Sequence, residues 1–278
     1  MLLAASCYFY MAFIPVYIFI LAFTILVDYI TGILVENANG AKRLYILLIS
    51  IVANLSILGL FKYYNFITET FNLPSTSFSN LVLPIGLSFH TFQSMSYNIE
   101  IYRGHQKAVR HLGQFALFVM FYPQLVAGPI ERPQNLLSQL QTEQYFNSQR
   151  VASGLQLMTW GLFKKVVIAD RLAILVNTVY ANPSQYTGFE LLIATFFFTF
   201  QIYCDFSGYS DIALGAAQVM GFTLMQNFRR PYLATSISDF WSRWHISLST
   251  WFRDYLYIPL GGNRVGLWRW QFNLLFVF

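Results

Sequence analysis

The amino-acid sequence predicts an all-α protein, a polytopic bundle of transmembrane helices with broken or re-entrant segments that line a cavity. Of its 278 residues, 56% are hydrophobic and 19% aromatic, and only 10% are charged, against roughly 25% in soluble domains. So few charged groups cannot cover a water-soluble globule, and much of the exterior must face lipid. Mean hydropathy of +0.49 agrees. The charges that are present fall between long apolar runs, at the spacing a bilayer demands.

The 17 Lys and Arg exceed the 12 Asp and Glu, for a net charge of +5. They form no dense cluster of the kind that follows a phosphate backbone, so a basic cytoplasmic rim is expected and nucleic acid is not. Cys7 and Cys204 lie in apolar segments without a C-x-x-C spacing, and read as small buried residues with no role in a disulfide or metal site. The first charge is Asp28, so the opening lacks the basic region of a signal peptide and belongs to the membrane body. Phe272 begins an apolar helix with no polar exit, which reads as a fragment of a longer chain.

Taken in order, residues 1–27 are uncharged but interrupted at Pro15, giving the end of one helix and then a span over 14–35. A second span is expected over 44–61, between Arg43 and Lys62. A polar turn at 72–77 precedes a third helix over 81–102. After a basic loop with Arg103, Lys107 and Arg110, residues 112–127 are apolar but short, and Pro123, Gly128, Pro129 and Pro133 follow closely. Such a segment is expected to be re-entrant and to line a cavity, because broken backbone at membrane depth needs protein or water to satisfy it.

Residues 142–150 are polar and interfacial in character. A helix is expected over 151–180, with Lys164, Lys165, Asp170 and Arg171 in its middle, and another from Glu190 to Gly221. A further helix from Phe240 to Tyr257 is rich in aromatic and charged residues, and Pro259-Leu260-Gly261-Gly262-Asn263 ends it. Without an internal repeat or linker, residues 1–278 read as a single domain. Lys42 and Arg43, then Arg103, Lys107 and Arg110 two crossings later, place these ends in the cytoplasm, with Lys62 opposing.

The informative residues are hydrophilic ones at depth, since an ionised side chain there costs at least ~2.5 kcal/mol unless it finds a partner or water. His90, Ser94, Tyr97 and Asn98 recur at helical spacing as one polar stripe, fit for interhelical hydrogen bonding or for a functional His90. Asp205 and Tyr209 share a helical face, as do Ser207 and Asp211, with Gly208 permitting close backbone approach. Their carboxylates either pair with arginines elsewhere or touch substrate.

On the helix from Phe240, Trp244, Leu248, Trp251 and Tyr255 form an apolar stripe, with His245, Ser249 and Phe252 one step round. His245 is thus expected beside a hydroxyl, and is the best acid/base candidate in the chain. The competing reading is an interfacial histidine that snorkels or bonds a carbonyl. His105 and His111, six apart on a basic loop, have poor metal spacing.

Several ordered strings give the chain a resemblance. Leu83-Pro84-Ile85-Gly86-Leu87-Ser88-Phe89, Pro123-Gln124-Leu125-Val126-Ala127-Gly128-Pro129-Ile130, Tyr203 through Asp211, and Phe240-Trp241-Ser242-Arg243-Trp244-His245-Ile246-Ser247-Leu248-Ser249 resemble the membrane-bound O-acyltransferase family. The continuation Phe252-Arg253-Asp254-Tyr255-Leu256-Tyr257-Ile258-Pro259-Leu260-Gly261-Gly262-Asn263-Arg264 is most similar to the bacterial branch containing alginate O-acetyltransferase.

The resemblance implies a multi-pass protein of the bacterial inner membrane whose helices surround a central tunnel. It would move an acetyl or other short acyl group from a thioester donor such as acetyl-CoA to a hydroxyl of an exported polysaccharide or a periplasmic acyltransferase partner. No bound cofactor and no metal is implied. His245 maps onto the first of two signature polar positions. The second, a histidine beside Trp and Gly, is expected beyond Phe278, and a first helix is expected before Met1. Trp241, Arg243, Ser249, Arg253 and Asp254 would shape the lining with His90. Asp205, Ser207, Tyr209 and Asp211 would hold the re-entrant segment or contact the donor. A transporter or channel with buried carboxylates, or an inactive scaffold for a periplasmic partner, is the alternative expectation.

Overall fold

The computed structural model describes residues 1–71, 83–126 and 128–277, and every regular element among them is helical. In chain order these are α1 (Leu2–Met11), α2 (Ile18–Asn37), α3 (Gly40–Thr70), α4 (Leu87–Arg103), α5 (Leu112–Met120), α6 (Tyr122–Leu125), α7 (Pro133–Leu140) and α8 (Ser148–Leu162). They continue with α9 (Asp170–Ala181), α10 (Gly188–Met220), α11 (Ile237–Arg243), α12 (Ile246–Phe252) and α13 (Leu267–Val277). Among the described residues, three segments are long and apolar enough to cross a bilayer: Pro15–Asn37, Gly40–Thr70 and Gly188–Met220. The chain is an all-α membrane protein. It divides into two compact units, Met1–Val126 with Ile130–Thr142 and Thr250–Phe278, and Ala127–Pro129 with Glu143–Ser249.

In the first unit α2, α3 and α4 pack on one another. Pro15 opens a tight turn, Pro15–Tyr17, that leads into α2, where a missing N–H costs nothing. Tyr45, Ile49, Val52 and Phe66 of α3 are exposed, a surface suited to lipid. Inside lie Leu21, Val35, Leu87, Tyr97, Ile101, Phe115, Phe118 and Phe121. The turn expected at 72–77 and the helix start expected at 81 fall outside the described residues.

Gly86, with φ 74°, sets the start of α4. A Cβ there would collide with the Leu125 carbonyl oxygen, so only glycine lets the chain turn this close to α6. Gly104, with φ 80°, ends the helix: its N–H donates to Ile101 O at 2.9 Å, and the His105 N–H donates to Glu100 O at 3.0 Å. This is the usual left-handed termination that satisfies the last carbonyls.

The short apolar stretch from Leu112 breaks in two. Nine residues of α5 rise only about 14 Å at 1.5 Å per residue, too little to cross a bilayer. Gln93 Nε2 and Gln124 Nε2 both donate to the carbonyl of Phe118, at 2.6 and 2.9 Å. Buried side chains thus satisfy an acceptor beside the break, as protein-enclosed broken backbone requires.

Arg43 Nη2 donates to Ile101 O at 2.7 Å, and Arg110 pairs with Glu36. The end of α2, the start of α3 and the end of α4 therefore meet at one basic end of this unit. The last helix starts at Leu267 rather than at Phe272. Gly261 and Gly262, at φ 106° and 56°, make the preceding turn, and Asn273 Nδ2 donates to Leu260 O and Gly262 O.

In the second unit α10 runs antiparallel to α8 and α9. Thr187 and Glu190 cap α10 reciprocally: Glu190 Oε2 accepts from the Thr187 N–H at 2.7 Å, and Thr187 Oγ1 accepts from the Glu190 N–H at 3.4 Å. Gly221, with φ 100°, closes it. Glycines pair across the seam. A Cβ on Gly161 would lie 2.6 Å from Gly208 O, and one on Gly154 would lie 2.8 Å from Gly215 O. Small residues let two backbones approach this closely where lipid gives no hydrophobic drive.

The expected helix over 151–180 has a π-helical stretch, Phe163–Ala169, at its centre. The expected helix from Phe240 to Tyr257 is not continuous. It breaks between α11 and α12 at His245, whose φ is 43°. The periodicity that would place Trp244 and His245 on one helix with Trp251 and Tyr255 therefore does not hold. The cause lies outside the helix: Asn227 receives the broken end, its O accepting from the Ile246 N–H at 3.0 Å and its Oδ1 from the Ser247 N–H at 3.1 Å. The Arg243 carbonyl accepts from the Arg229 N–H at 2.9 Å. With the helix's own donors and acceptors satisfied by this loop, the break leaves few backbone groups stranded.

Candidate active site

The membrane-depth carboxylates of α10 have lysine partners. Lys164 Nζ lies 2.6 Å from Asp211 Oδ2 and donates to Ser207 Oγ at 3.0 Å. Lys165 Nζ lies 2.8 Å from both Asp205 Oδ1 and Asp170 Oδ1, and 5.4 Å from the centroid of the Tyr209 ring. The expected partners were arginines, and the correction has a geometric cause. The π-helical stretch carries both lysines, and a π turn is wider than an α turn, so two consecutive residues reach α10 together. Asp205, Ser207, Tyr209 and Asp211 thus fall into two adjacent clusters, Ser207 and Asp211 on Lys164, and Asp205 and Tyr209 on Lys165.

His245 occupies a different corner of the same unit. Ser236 Oγ caps α11 by accepting from the Asp239 N–H at 3.1 Å. Asp239 Oδ1 holds Arg243 Nε at 2.8 Å, so Arg243 is committed to an i,i+4 pair. The Arg243 guanidinium holds the Asp239 carboxyl below the usual carboxylate range. The backbone then turns left-handed at His245. A non-glycine residue with positive φ is uncommon, and strain of this kind concentrates at functional positions.

Aromatic rings enclose the turn. The Phe206 ring stands edge-on to the imidazole, with centroids 4.7 Å apart and planes at 86°. Trp244 packs on Phe228 at 5.1 Å and stacks on Phe240 at 5.6 Å, and Tyr203 and Tyr232 complete the cluster. Trp241 stands edge-on to Phe240 at the exposed side. Each of α11 and α12 is seven residues long, too short to span a bilayer. Burial pushes the His245 imidazole down to about 4, so at neutral pH the ring is uncharged and able to accept a proton.

The hydroxyl expected beside His245 is turned to its own backbone. Ser249 Oγ donates to the Trp244 carbonyl at 3.1 Å, bridging the break.

In the first unit, Asp254 accepts from Arg132 Nη2 at 3.0 Å and from Arg253 Nε at 2.7 Å, and its carbonyl accepts from Arg103 Nη2 at 2.9 Å. Arg132 and Arg103 lie 4.4 and 5.0 Å from the centroid of the Tyr255 ring. Arg253 and Asp254 thus sit in a polar cluster with Glu100, which also receives His105 and Gln134. His90 lies two residues from Phe92, whose carbonyl accepts from the Trp251 indole N–H at 2.9 Å. His90 is 2% exposed, and among the described residues neither of its ring nitrogens has a hydrogen-bond partner. Sequence reading did not assign roles to Lys164, Lys165 or Arg132. Two adjacent lysines inside an apolar helix are a usable signal, because such charges must find partners.

Among the described residues no group of three or more His, Cys, Asp or Glu could hold a metal ion. Residues 103–278 match the family model for membrane-bound O-acyltransferases. The chain belongs to that family. Within the family it is similar to a probable alginate O-acetylase, AlgI, of Pseudomonas putida, 44% identical over 235 residues that make up 82% of this chain and 48% of the relative. It is also similar to the peptidoglycan O-acetyltransferase of Helicobacter pylori, 36% identical over 308 aligned residues that take in 100% of this chain and 58% of the relative. The teichoic acid D-alanyltransferase of Bacillus subtilis is more distant, 28% identical over 215 residues, 75% of this chain and 53% of the relative. The chain spans about half the length of these membrane-bound O-acyltransferase relatives.

Proposed function

We propose that the protein transfers an acetyl or other short acyl group from a thioester donor, with acetyl-CoA the candidate, to a hydroxyl of an exported polysaccharide or of a periplasmic partner that carries the group onward. It would act as a multi-pass protein of the bacterial inner membrane, with the basic end of the first unit in the cytoplasm. The relatives' names support acyl transfer to an envelope polymer.

The observation that carries the reading is the neutral imidazole of His245 at a strained turn walled by aromatic rings. An alcohol is a weak nucleophile until a neighbouring base takes its proton. As the oxygen attacks the thioester carbonyl, the new C–O bond forms, the C–S bond breaks, and the proton passes through the imidazole to the departing thiolate. His245 would accept or relay that proton. Trp241, Arg243 and Ser249 would shape its surroundings, and Arg253, Asp254 and His90 are the candidate lining residues of the first unit. The two clusters of Asp205, Ser207, Tyr209 and Asp211 would hold α10 against the lysine-bearing helix.

The test is transfer of labelled acetyl from acetyl-CoA by the full-length protein in membranes, compared with His245→Ala. Loss of turnover with normal expression supports the reading. Full turnover in the variant removes His245 from the reaction, and absence of any transfer by the wild type, with solute flux in its place, would favour a transporter.

A further inference from the structure

A helix leaves its first N–H groups without partners of its own, and the residue just before it commonly supplies a side-chain acceptor. His111 does this for α5. Its backbone is extended, with φ −107° and ψ 108°, and its Nδ1 accepts from the Gln114 N–H at 3.3 Å. His245 stands at the same position before α12, where its carbonyl accepts from the Ser249 N–H at 2.9 Å. Yet its φ is 43°. Two histidines at helix starts thus adopt different backbones, the first extended and the second left-handed.

The difference lies in what receives the N–H groups. At α12 they go to Asn227, twenty residues before Ser247 in the chain: its carbonyl accepts from the Ile246 N–H at 3.0 Å, and its Oδ1 from the Ser247 N–H at 3.1 Å. The Arg229 N–H donates to Arg243 O at 2.9 Å, so residues 227–229 are bonded to the chain on both sides of the break. Between these bonds Phe228 packs on Phe206 at 5.0 Å, and Phe206 faces the His245 imidazole at 4.7 Å. Of the three bonds, the one through Asn227 Oδ1 belongs to a side chain and can be deleted by substitution. Asn227 is 1% exposed, and its Nδ2 has no hydrogen-bond partner among the described residues. The oxygen alone sets how the amide lies, because the reverse assignment would aim its NH2 group at the Ser247 N–H.

A left-handed backbone is unfavourable for a residue with a Cβ and persists only where its surroundings hold it. Without the Asn227 carboxamide, the Ser247 N–H loses this acceptor at a residue that is 0% exposed, where water has little access. The His245 imidazole could then take over in the extended geometry of His111. That relaxation would draw the ring from Phe206 and commit its accepting nitrogen to the backbone. We propose that Asn227 is a positioning residue for acyl transfer, capping α12 in place of His245 and so holding the imidazole in the left-handed turn among the aromatic rings. The inference rests on the proton-handling role proposed above for His245.

The experiment measures acetyl transfer by the full-length protein in membranes, with rates referred to folded protein. Asn227→Ala should lower kcat by roughly 100-fold, as misplacement of a reacting group by about 1 Å can do, and leave the KM of each substrate within about twofold. Asn227→Asp keeps an oxygen at the cap and has no Nδ2 bond to lose, so it should recover at least about tenfold of that loss. In the His245→Ala background Asn227→Ala should cost no further turnover, because its effect runs through the imidazole. Unchanged kcat in Asn227→Ala would overturn the proposal, as would equal fold losses in both backgrounds or an Asn227→Asp variant no better than Asn227→Ala. Should Asn227→Ala fail to fold, Asn227→Ser, with a shorter reach to the Ser247 N–H, should show the same split at roughly a tenfold loss, and unchanged kcat there overturns the proposal equally. Full turnover in His245→Ala would remove the proton-handling role and this inference with it. Loss of turnover in His245→Ala beside normal turnover in Asn227→Ala would remove this inference alone.

Discussion

Lys164 Nζ and Asp211 Oδ2 meet at 2.6 Å across the seam between the π-helical stretch and α10, with side chains only 11% and 23% exposed. Such a pair holds two helices in register, but its value lies in the alternative. Removing one partner strands the other charge in a poorly solvated place.

Lys164→Met should therefore destabilise the protein by about 3–5 kcal/mol. The double variant Lys164→Met, Asp211→Leu should lose less than Lys164→Met alone, since no charge is left behind. Thermal unfolding in detergent of both singles and the double checks this as a mutant cycle. Equal losses in the single and double variants would show that the pair is not coupled.

The glycine seam gives a second test. Gly208→Val adds two methyls beyond a Cβ that already would lie 2.8 Å from the Gly161 carbonyl oxygen, and backbone cannot yield as a flexible side chain can. A loss of about 1–3 kcal/mol is expected from overpacking, with α8 and α10 prised apart. Gly188→Val, where a Cβ meets nothing within 4 Å, should be mild by comparison. Melting temperatures of the two variants in one detergent decide it.

Gly86→Ala combines two penalties. The left-handed φ of 74° costs an L-residue about 1–2 kcal/mol, and the new Cβ strikes the Leu125 carbonyl. Limited proteolysis near residues 121–126 should therefore accelerate in Gly86→Ala. Unchanged cleavage would mean that the broken segment does not depend on this contact.

Much of this was legible in charge spacing. Arg43 and Arg103 lie within about a turn of the helix ends they were expected to mark, but Lys62 does not end its helix: α3 runs on to Thr70, since a lysine stem can stay in the helix while its charge reaches water. Gly221 closes α10 where the sequence placed its end. Pro123 and its neighbours foretold the broken segment. The break at His245 was not legible, because Phe240 to Tyr257 contains no proline or glycine. It depends on Asn227, which is distant in sequence and takes two backbone N–H groups. For the same reason the polar stripe from His90 to Asn98 was visible while its partner Asp28, whose Oδ1 accepts from Asn98 Nδ2 at 2.9 Å, was not. Period within one helix says which residues share a face, but the neighbour on another helix is a tertiary fact. The lysine partners of Asp205 and Asp211 were hidden behind a π-helical stretch that no local propensity signals.

At His245, backbone and imidazole can be tested separately. His245→Gly relieves the left-handed φ of 43° and removes the ring, so it should melt no lower than His245→Ala while losing acyl transfer by roughly 100-fold or more. Restoration of transfer by added imidazole in His245→Gly would identify proton handling as the missing function. Full activity in His245→Gly would assign the residue to the turn alone.

The same residue fixes a pH dependence. Burial holds the folded-state imidazole at about 4, below its ordinary unfolded value of about 6.5. Between these values the unfolded chain binds the extra proton and the folded chain does not, so stability rises with pH across that window. The contribution is fully present above about 6.5 and is lost as pH falls through about 4. Transfer that needs a neutral imidazole should likewise show no His245 titration between pH 6 and 8, and should fall on acidification towards 4. Comparison of pH–rate and pH–stability profiles for wild type and His245→Gln isolates this contribution. An inflection near pH 6.5 in the wild type that disappears in His245→Gln would show the imidazole to be solvated, and would remove the aromatic enclosure as the cause of its depressed pKa.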